Sequence, residues 1–189
     1  MDTSDIKKGV KLMQDGQPYV VVDFQFVKPG KGQAFTRTRM KNMLTGNILE
    51  RNIRSGEKLE PADVEEREFS YIYPDGNDFV FMSSVTGEQV TVSGEAVGDD
   101  AGFLQDGAVV SVVIYKGNPV SITLPSHIIV EITETEPGVK GDTATNVTKN
   151  AIISTGAQIQ VPLFVNVGDW VKVDTRTRAY VERAKAPQG

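Results

Sequence analysis

The chain has 189 residues, of which 39% are hydrophobic, and a formal net charge of −5 at pH 7. It contains no cysteine, which excludes disulfides and thiolate metal sites and makes the cytoplasm the expected compartment. No apolar run approaches the length of a membrane span, and residues 1–9 lack the apolar core of a signal peptide, so we expect no membrane association.

The charge is distributed unevenly along the chain. Residues 1–60 carry eleven Lys and Arg against seven Asp and Glu, whereas residues 61–127 carry two against eleven. Residues 128–189 carry seven of each. Because a polyanion responds to the local field of the surface that it meets, the first third is compatible with nucleic-acid binding despite the overall acidity. A chance asymmetry that serves solubility is the alternative.

The first predicted elements are strands in two hairpins. "GVKLMQDGQPYVVVDFQFV" predicts two strands joined at residues 14–17 through an Asp-Gly turn. "QAFTRTRMKNML" and "NILERNI" predict a second pair joined at residues 44–47. The period of two within "AFTRTRMK" places three cations on one strand face, namely Arg37, Arg39 and Lys41.

Residues 55–67 are polar and acidic and predict a domain boundary. Beyond them, "EFSYIYPDGNDFVFM" predicts a hairpin that turns at residues 74–76, and "EQVTVSG" predicts another strand. "EAVGDDAGFLQDG" predicts one short helix with Asp99 and Asp100 at its polar start. Two more strands around a turn at residues 116–118 and the strand "HIIVEITET" follow.

A Gly/Thr/Asn-rich loop is predicted over residues 136–150, and long loops of this kind are commonly functional or mobile. The rest of the chain again predicts short strands with Gly-Asp turns. Many short strands at regular spacing indicate an all-β chain of small barrels or sandwiches, and the charge step near residue 61 favours separate units over one large sandwich. We place the domains at residues 1–63, 64–127 and 128–189.

The sequence offers no convincing catalytic or metal site. His127 is the single histidine and is interpreted as structural. The Gly-Lys-Gly of "VKPGKGQAF" leads into a strand and not a helix, unlike a phosphate-binding loop. Asp142 and Thr143 supply too few carboxylates for a calcium site. We therefore expect a binding protein without catalytic residues, metal or cofactor.

The turn between the first two hairpins predicts a cationic tip. It consists of Lys28, Pro29, Gly30, Lys31 and Gly32. The proline fixes φ and the two glycines accept backbone angles that other residues resist, so the central lysine projects with little to pack against. Such a tip, continued by a basic strand face, suits a phosphate backbone. An ordinary hairpin with a solvated lysine is the alternative. Apart from Phe35 no aromatic platform stands out in the following strand, which favours recognition of backbone and shape over sequence.

Two separated motifs resemble the bacterial elongation factor P family. "VKPGKGQAF" (27–35), followed by "LTGNILERNIRSGE", is similar to the N-terminal domain of that family. "PGVKGDTATNVTKNAIISTGAQIQVPLFVNVGDWVKVDTR" is similar to its C-terminal signature. The matching positions are Lys149, Ala151, Gly156, Ile159, Val161, Pro162, Val165 and Gly168. The resemblance spans essentially the whole chain.

The resemblance implies an SH3-like domain followed by two OB-like domains in an L shape that mimics transfer RNA. It implies a translation factor that enters the 70S ribosome between the peptidyl and exit sites at consecutive prolines, contacting ribosomal RNA and the peptidyl-tRNA. Lys31 matches the lysine that usually carries an added group and reaches toward the acceptor end. The "PGKGQAF" context is similar to that of members modified with β-lysine, which implies a modifying enzyme as a further partner.

The predicted RNA-binding residues come from both motifs. Those of the hairpin are Lys28, Pro29, Gly30, Lys31, Gly32, Arg37, Arg39 and Lys41. Those of the loop that lies near the exit-site codon in the family are Gly141, Asp142, Thr143 and Ala144. We expect a monomer, because no hydrophobic interface for self-association is evident. A general RNA-binding barrel protein that does not enter the ribosome is the alternative function, and an enzyme built on residues 136–150 is a third. The elongation-factor-P-like paralogue usually lacks the lysine-bearing tip.

Overall fold

A computed structural model describes residues 1–137 and 147–188. In this part of the chain the strands form three five-stranded antiparallel sheets, which follow one another in sequence. The predicted all-β class is confirmed. Each sheet encloses its own cluster of buried side chains, as expected for small separate domains.

The first sheet is a meander with one added edge strand. Its strands are β1 (Lys11–Gln14), β2 (Gln17–Val27), β3 (Phe35–Asn42), β4 (Ile48–Arg54) and β5 (Glu60–Pro61), in the spatial order β4-β3-β2-β1-β5. Both predicted hairpins are confirmed. Asp15 and Gly16 have φ values of +52° and +75°, the left-handed pair that a two-residue hairpin turn requires.

The second sheet contains the strands β6 (Glu65–Asp75), β7 (Asp78–Met82), β8 (Gln89–Val92), β9 (Val109–Tyr115) and β10 (Asn118–Thr123). The third contains β11 (His127–Thr135), β12 (Thr148–Ile153), β13 (Gln158–Pro162), β14 (Trp170–Asp174) and β15 (Ala179–Ala184). In both sheets the first strand is central, flanked by the second and fourth, with the third and fifth outermost. The two outermost strands of each sheet also contact each other, which curls the sheet toward a barrel of the OB type.

The predicted short helix is present between β8 and β9. It consists of one α-helical turn, α1 (Gly94–Val97), continued by a 3₁₀ segment (Gly98–Phe103). Ser93 caps α1, because its side chain accepts a hydrogen bond from the backbone N–H of Ala96. Asp99 and Asp100 lie in the first turn of the 3₁₀ segment.

Two segments predicted as connections contribute to sheets. Within residues 55–67, β5 pairs with β1 in the first sheet and Glu65 begins β6 in the second. At the far end of the predicted loop 136–150, Thr148 begins β12. Polar, Pro-containing or Thr-rich strands are hard to distinguish from loops by composition, because edge strands tolerate such residues.

An apolar contact joins the first two domains. Met43, just after β3, is buried against three side chains of the second sheet, those of Val113, Tyr115 and Val120. Beside it, Lys11 forms an ion pair with Glu66, with 2.8 Å between Nζ and Oε1. The first domain is therefore held to the second by a buried side chain as well as by the chain connection.

The second and third domains are joined more closely. The ring of Phe103 is part of the buried cluster of the third domain. Thr155 donates a hydrogen bond from Oγ1 to the carbonyl oxygen of Gly102 at 2.6 Å, and the backbone N–H of Ala157 donates to the same oxygen at 3.2 Å. Gln105 Nε2 donates to the carbonyl oxygen of Ile129 at 2.7 Å. The 3₁₀ segment thus acts as the connector between these two barrels.

Candidate nucleic-acid interface

The hairpin formed by β2 and β3 carries the predicted tip residues. The two strands stay paired out to Val27 opposite Phe35, and residues 28–34 connect them. Lys31 lies exposed in this connection, and Lys28 is exposed where the strand ends. The structure therefore places Lys31 where the sequence predicted it, at the end of a projecting hairpin.

The two glycines of the tip differ in what they contribute. Gly32 has a φ of +100°, a conformation that L side chains rarely adopt. Gly30 has no positive φ, and a Cβ built on it meets no heavy atom of residues 1–137 and 147–188 within 4 Å. The expectation that both glycines are conformationally required is thus met by Gly32 alone. Pro29 is half-buried, and its Cγ lies 4.0 Å from the Cβ position of Gly32.

Two hydrogen bonds fasten the return arm of the tip to the end of β4. Gln33 donates from its side-chain amide to the carbonyl oxygen of Ser55 at 3.1 Å. The backbone N–H of Ser55 donates to the carbonyl oxygen of Ala34 at 3.0 Å. These bonds fix where the return arm of the tip begins, and residues 30–32 before it are exposed.

The face of β3 follows the predicted alternation. Thr36, Thr38 and Met40 are buried, whereas Arg37 and Arg39 are exposed on the opposite face. Met40 belongs to the buried cluster of the first domain, so the period of two is set by which face of β3 meets that core.

The neighbouring strands make the basic face uneven. Arg39 lies between Asp23 of β2 and Glu50 of β4, its two cross-strand partners. Carboxylates directly opposite a guanidinium offset its charge. Arg37 lies instead between two uncharged amides, Gln25 and Asn52. The positive potential of the hairpin is therefore concentrated toward the tip.

A further cation joins this face near the tip. Arg54, the last residue of β4, is exposed and pairs with Phe35, two positions along β3 from Arg37. Sequence periodicity did not identify Arg54, because its position beside Arg37 depends on the register between β3 and β4. That register follows from the length of the connecting turn.

Lys41 shares the face of Arg37 but lies in a different environment. It lines a cavity of about 440 Å³ at the junction of the three domains. Its Nζ is 3.9 Å from the Cβ position of Gly98, at the start of the 3₁₀ segment. Arg178 of the third domain and Asp100 of the second line the same cavity. Lys41 therefore faces the second domain and not the open surface on which the prediction placed it.

Asp100 is the acidic group of this junction. Arg178 donates from Nη2 to Asp100 Oδ1 at 3.1 Å, and its Nη1 lies 3.8 Å from Asp99 Oδ2. Burial raises the pKa of Asp100 above its ordinary value, although Arg178 and then Lys41 act in the opposite direction. The two aspartates thus serve a domain contact. They follow α1 in the first turn of the 3₁₀ segment, and do not lie at the start of the helix where the sequence predicted them.

The remaining residues that the sequence analysis named lie in the second half of the chain. Gly141, Asp142, Thr143 and Ala144 lie outside the described residues. His127 is the first residue of β11, with its Nε2 3.6 Å from Asp174 Oδ2 and its Nδ1 3.2 Å from Ser126 Oγ. The positions of the C-terminal signature are mainly core and turn residues, since Ala151, Ile159, Val161 and Val165 are buried.

Among residues 1–137 and 147–188 there is no group of three or more His, Cys, Asp or Glu side chains that could hold a metal ion. Nor does any helix in these ranges have the length and apolar character needed to cross a membrane.

The fold and the hairpin together define a class of protein, a chain of three small β-domains whose first domain projects a lysine-tipped, basic hairpin. Comparisons with family models agree with this description. Residues 2–59 match the elongation factor P (EF-P) KOW-like domain, residues 64–122 the elongation factor P (EF-P) OB domain, and residues 128–183 the C-terminal domain of elongation factor P.

Full-length relatives carry the same name. The chain is 49% identical over 180 residues to elongation factor P of Persephonella marina, covering 95% of each chain. It is 48% identical over 184 residues to elongation factor P of Moorella thermoacetica, covering 97% of this chain and 100% of the relative. The chain belongs to the elongation factor P family, which by its name is a family of translation elongation factors.

A solved structure supports the fold. The archaeal protein described as eukaryotic translation initiation factor 5A from Methanococcus jannaschii superposes with a TM-score of 0.50 at 22% identity. The superposition covers 66% of this chain and 91% of that one. At this identity the likeness concerns the architecture of β-domains.

Proposed function

We propose that this protein binds the 70S ribosome beside the peptidyl-tRNA and relieves stalling at consecutive prolines. The observation that carries the proposal is the exposed Lys31 at the end of the β2–β3 hairpin, in a chain that belongs to the elongation factor P family. In this proposal Lys31 reaches the acceptor end of the peptidyl-tRNA, while Lys28, Arg37 and Arg54 contact phosphates of tRNA or ribosomal RNA.

The proposed mechanism is positioning. Proline is a poor peptidyl donor and acceptor, so a stalled complex samples unproductive geometries. Holding the acceptor end in a reactive arrangement removes part of the entropic barrier to peptide-bond formation. The ribosome catalyses peptide-bond formation. The factor contributes cationic contacts that hold the acceptor end in place.

A covalent extension of Lys31 belongs to the same proposal. An exposed lysine on a narrow tip is accessible to a modifying enzyme. An added β-lysyl group would lengthen the cationic side chain and add hydrogen-bond donors for phosphate oxygens. The intact mass of the protein from its native host, compared with that of the Lys31→Arg variant, tests this directly, since arginine keeps the charge but lacks the ε-amino group.

The function is tested by translation of a triple-proline reporter in an extract depleted of its own factor. Protein purified from its native host should relieve the stall, and Lys31→Ala should not. Lys58→Ala is the matched control, because Lys58 is an exposed lysine of the same domain away from the tip. It should retain full activity.

Two results would decide against parts of this proposal. If wild-type protein leaves the stall unchanged, the general RNA-binding function becomes the better hypothesis. A general binder should tolerate Lys31→Ala, with a salt dependence of binding reduced by about one unit. If both wild type and Lys31→Ala relieve the stall, translation is the right process but the role of Lys31 is wrong.

A further inference from the structure

β2 continues beyond the core of the first domain and carries two exposed aromatic rings. Residues 22–26 are all exposed, in contrast to Val21, which is buried. Phe24 is 40% exposed and Phe26 is 61% exposed. Within the part of the chain that the structure describes, β1 pairs with β2 only as far as Val20, so the strand beyond is flanked by β3 alone.

The two rings lie on the face opposite the arginines. Phe24 pairs with Thr38 and Phe26 with Thr36, whereas Arg37 and Arg39 alternate with these threonines. Since side chains two residues apart in an extended strand point to the same side, Phe24 and Phe26 share this face, and Lys28 is the residue that follows β2. We call these three residues the aromatic strip. It leads directly to the tip that carries Lys31.

In the described part of the chain, the strip takes no part in the contacts that join the first domain to the second. The first domain meets the second through Met43 and Lys11, at the other end of the sheet from the tip. Single exposed apolar side chains are ordinary on protein surfaces, but two aromatic rings followed along the chain by Lys28 and Lys31 combine the parts of a surface that binds single-stranded nucleic acid. The rings offer stacking, and the ammonium groups hold the phosphates.

We propose that Phe24 and Phe26 stack against unpaired bases of an RNA single strand whose phosphates are held by Lys28 and Lys31. This inference rests on the proposed function, and there the strand is the unpaired acceptor end of the peptidyl-tRNA. Residues two apart in a strand are separated by about 7 Å, roughly two steps of stacked bases, so one base can enter between the rings. The strip would then fix the bases while Lys31 extends past them.

The chemistry favours a single strand of RNA over the other occupants of an apolar strip. A duplex presents its phosphates and groove edges, and its stacked bases are not accessible to aromatic side chains. A protein partner would have to accept an apolar strip ended by two cations and backed by Arg37 and Arg54. An RNA single strand satisfies both the rings and the charges.

The direct test places a photo-cross-linking phenylalanine analogue at position 26 of the full chain and adds this protein to ribosomes stalled on consecutive prolines. We expect cross-links to the unpaired 3′ nucleotides of the peptidyl-tRNA. The same analogue at Phe164, an exposed aromatic of the third domain, is the matched control and should not cross-link there. Cross-links from position 26 to a ribosomal protein or to paired ribosomal RNA would overturn the inference.

A binding measurement gives a second readout. Phe24→Ser combined with Phe26→Ser should weaken binding to the stalled ribosome at least about fivefold, and replacement of both by Trp should restore it, because stacking depends on the ring. The salt dependence of binding should stay the same in both variants, whereas Lys28→Ala should reduce it. An unchanged affinity of the serine variant, with its thermal midpoint intact, would overturn the inference.

The two proposals fail in different ways. If wild-type protein does not relieve the stall, the proposed function is wrong and this inference falls with it. If wild-type protein relieves the stall but position 26 cross-links elsewhere, the function stands and the role of the strip is refuted.

Discussion

Arg178 of the third domain reaches Asp100 of the second, with 3.1 Å between Nη2 and Oδ1, while its guanidinium lies 5.3 Å from the centre of the Phe103 ring. The backbone of Arg178 has a φ of +60°, a conformation that is uncommon for a side chain of this size. The β14–β15 turn is thus held in an unusual geometry at a place where a cation meets both an acid and an aromatic ring. The contact couples two barrels that have separate cores.

The first prediction is that substitutions of Arg178 and Asp100 have unequal effects on stability. Arg178→Gln should destabilise the protein by about 1 kcal/mol, because it leaves a half-buried carboxylate without its cation in a partly exposed site. Asp100→Asn should cost less, because it removes the desolvated charge and keeps a hydrogen-bond acceptor for the guanidinium. Thermal unfolding at pH 7 measures both, with a lowering of the midpoint by about 2–4 °C expected for the first.

Arg37→Gln is the control for the arginine, since Arg37 is exposed between two uncharged amides, and it should leave the thermal midpoint unchanged. The titration of Asp100 should also make the stability of the fold depend on pH. Because its pKa is raised in the folded state, stability should fall as pH rises from the ordinary aspartate range through the raised pKa. Asp100→Asn should remove that fall. Equal losses of stability for Arg178→Gln and Asp100→Asn would contradict this explanation.

The second prediction concerns the close packing of Gly102. A Cβ at Gly102 would lie 2.9 Å from the Cβ of Ala157, and 3.3 Å from its Cα. Gly102→Ala should therefore force the second and third domains apart, at a cost of about 1–3 kcal/mol. Differential scanning calorimetry should show a lower midpoint or a separate transition for one domain.

Ala157→Gly in the Gly102→Ala background gives the matched test of this contact. It removes the methyl group that the new side chain meets, so part of the lost stability should return. Gly30→Ala, where the added methyl group meets no described residue within 4 Å, should leave the midpoint unchanged. If the double variant is no more stable than Gly102→Ala, the contact with Ala157 is not the cause.

The third prediction concerns the two glycines of the tip. Gly32→Ala places a side chain at a φ of +100°, a strain of about 1–3 kcal/mol that the exposed tip can relieve by changing its path. We expect little change in thermal stability but a clear loss of stall relief in the triple-proline assay. Gly30→Ala should retain most activity. If Gly30→Ala loses more stall-relief activity than Gly32→Ala, the activity of the tip depends on the surface that it presents and not on its backbone conformation.

The fourth prediction concerns acid stability of the third domain. Hydrogen bonds from the Arg176 side chain, together with those from the backbone N–H groups of Arg176 and Thr177, lower the pKa of Asp174 to about 2. Because the folded pKa is depressed, this stability is present above the ordinary value near 4 and is lost as pH falls through about 2. Thermal midpoints between pH 5 and pH 2 should fall in the wild type.

Asp174→Asn is the variant that tests this prediction. It should unfold at a lower temperature at pH 7, since the amide replaces a charged acceptor, and it should show a shallower decline in acid. Asp106→Asn, a change to an exposed carboxylate of the second domain, should leave the acid profile as in the wild type. A variant at position 174 that declines as steeply as the wild type would contradict the assignment.

The amino-acid sequence by itself determined the local features of this protein. Asp-Gly at residues 15–16 specifies a left-handed two-residue turn, and alternation from Thr36 to Met40 specifies which side of β3 is buried. Pro29 and Gly32 on either side of Lys31 specify a turn that leaves the lysine exposed. These features follow from interactions between residues that are close in the chain, so they can be identified without knowing what packs against them.

Tertiary structure decided which residues become neighbours in space. Arg39 lies between Asp23 and Glu50, and Arg54 lies beside Arg37, because of strand register. Lys41 faces a cavity that the second and third domains complete. Asp100 meets Arg178 across 78 positions of sequence. Periodicity fixes the side of a strand on which a residue lies. The neighbours of that residue depend on strand register and on the packing of the domains. Both are determined by the summed energies of contacts between residues that are far apart in the sequence.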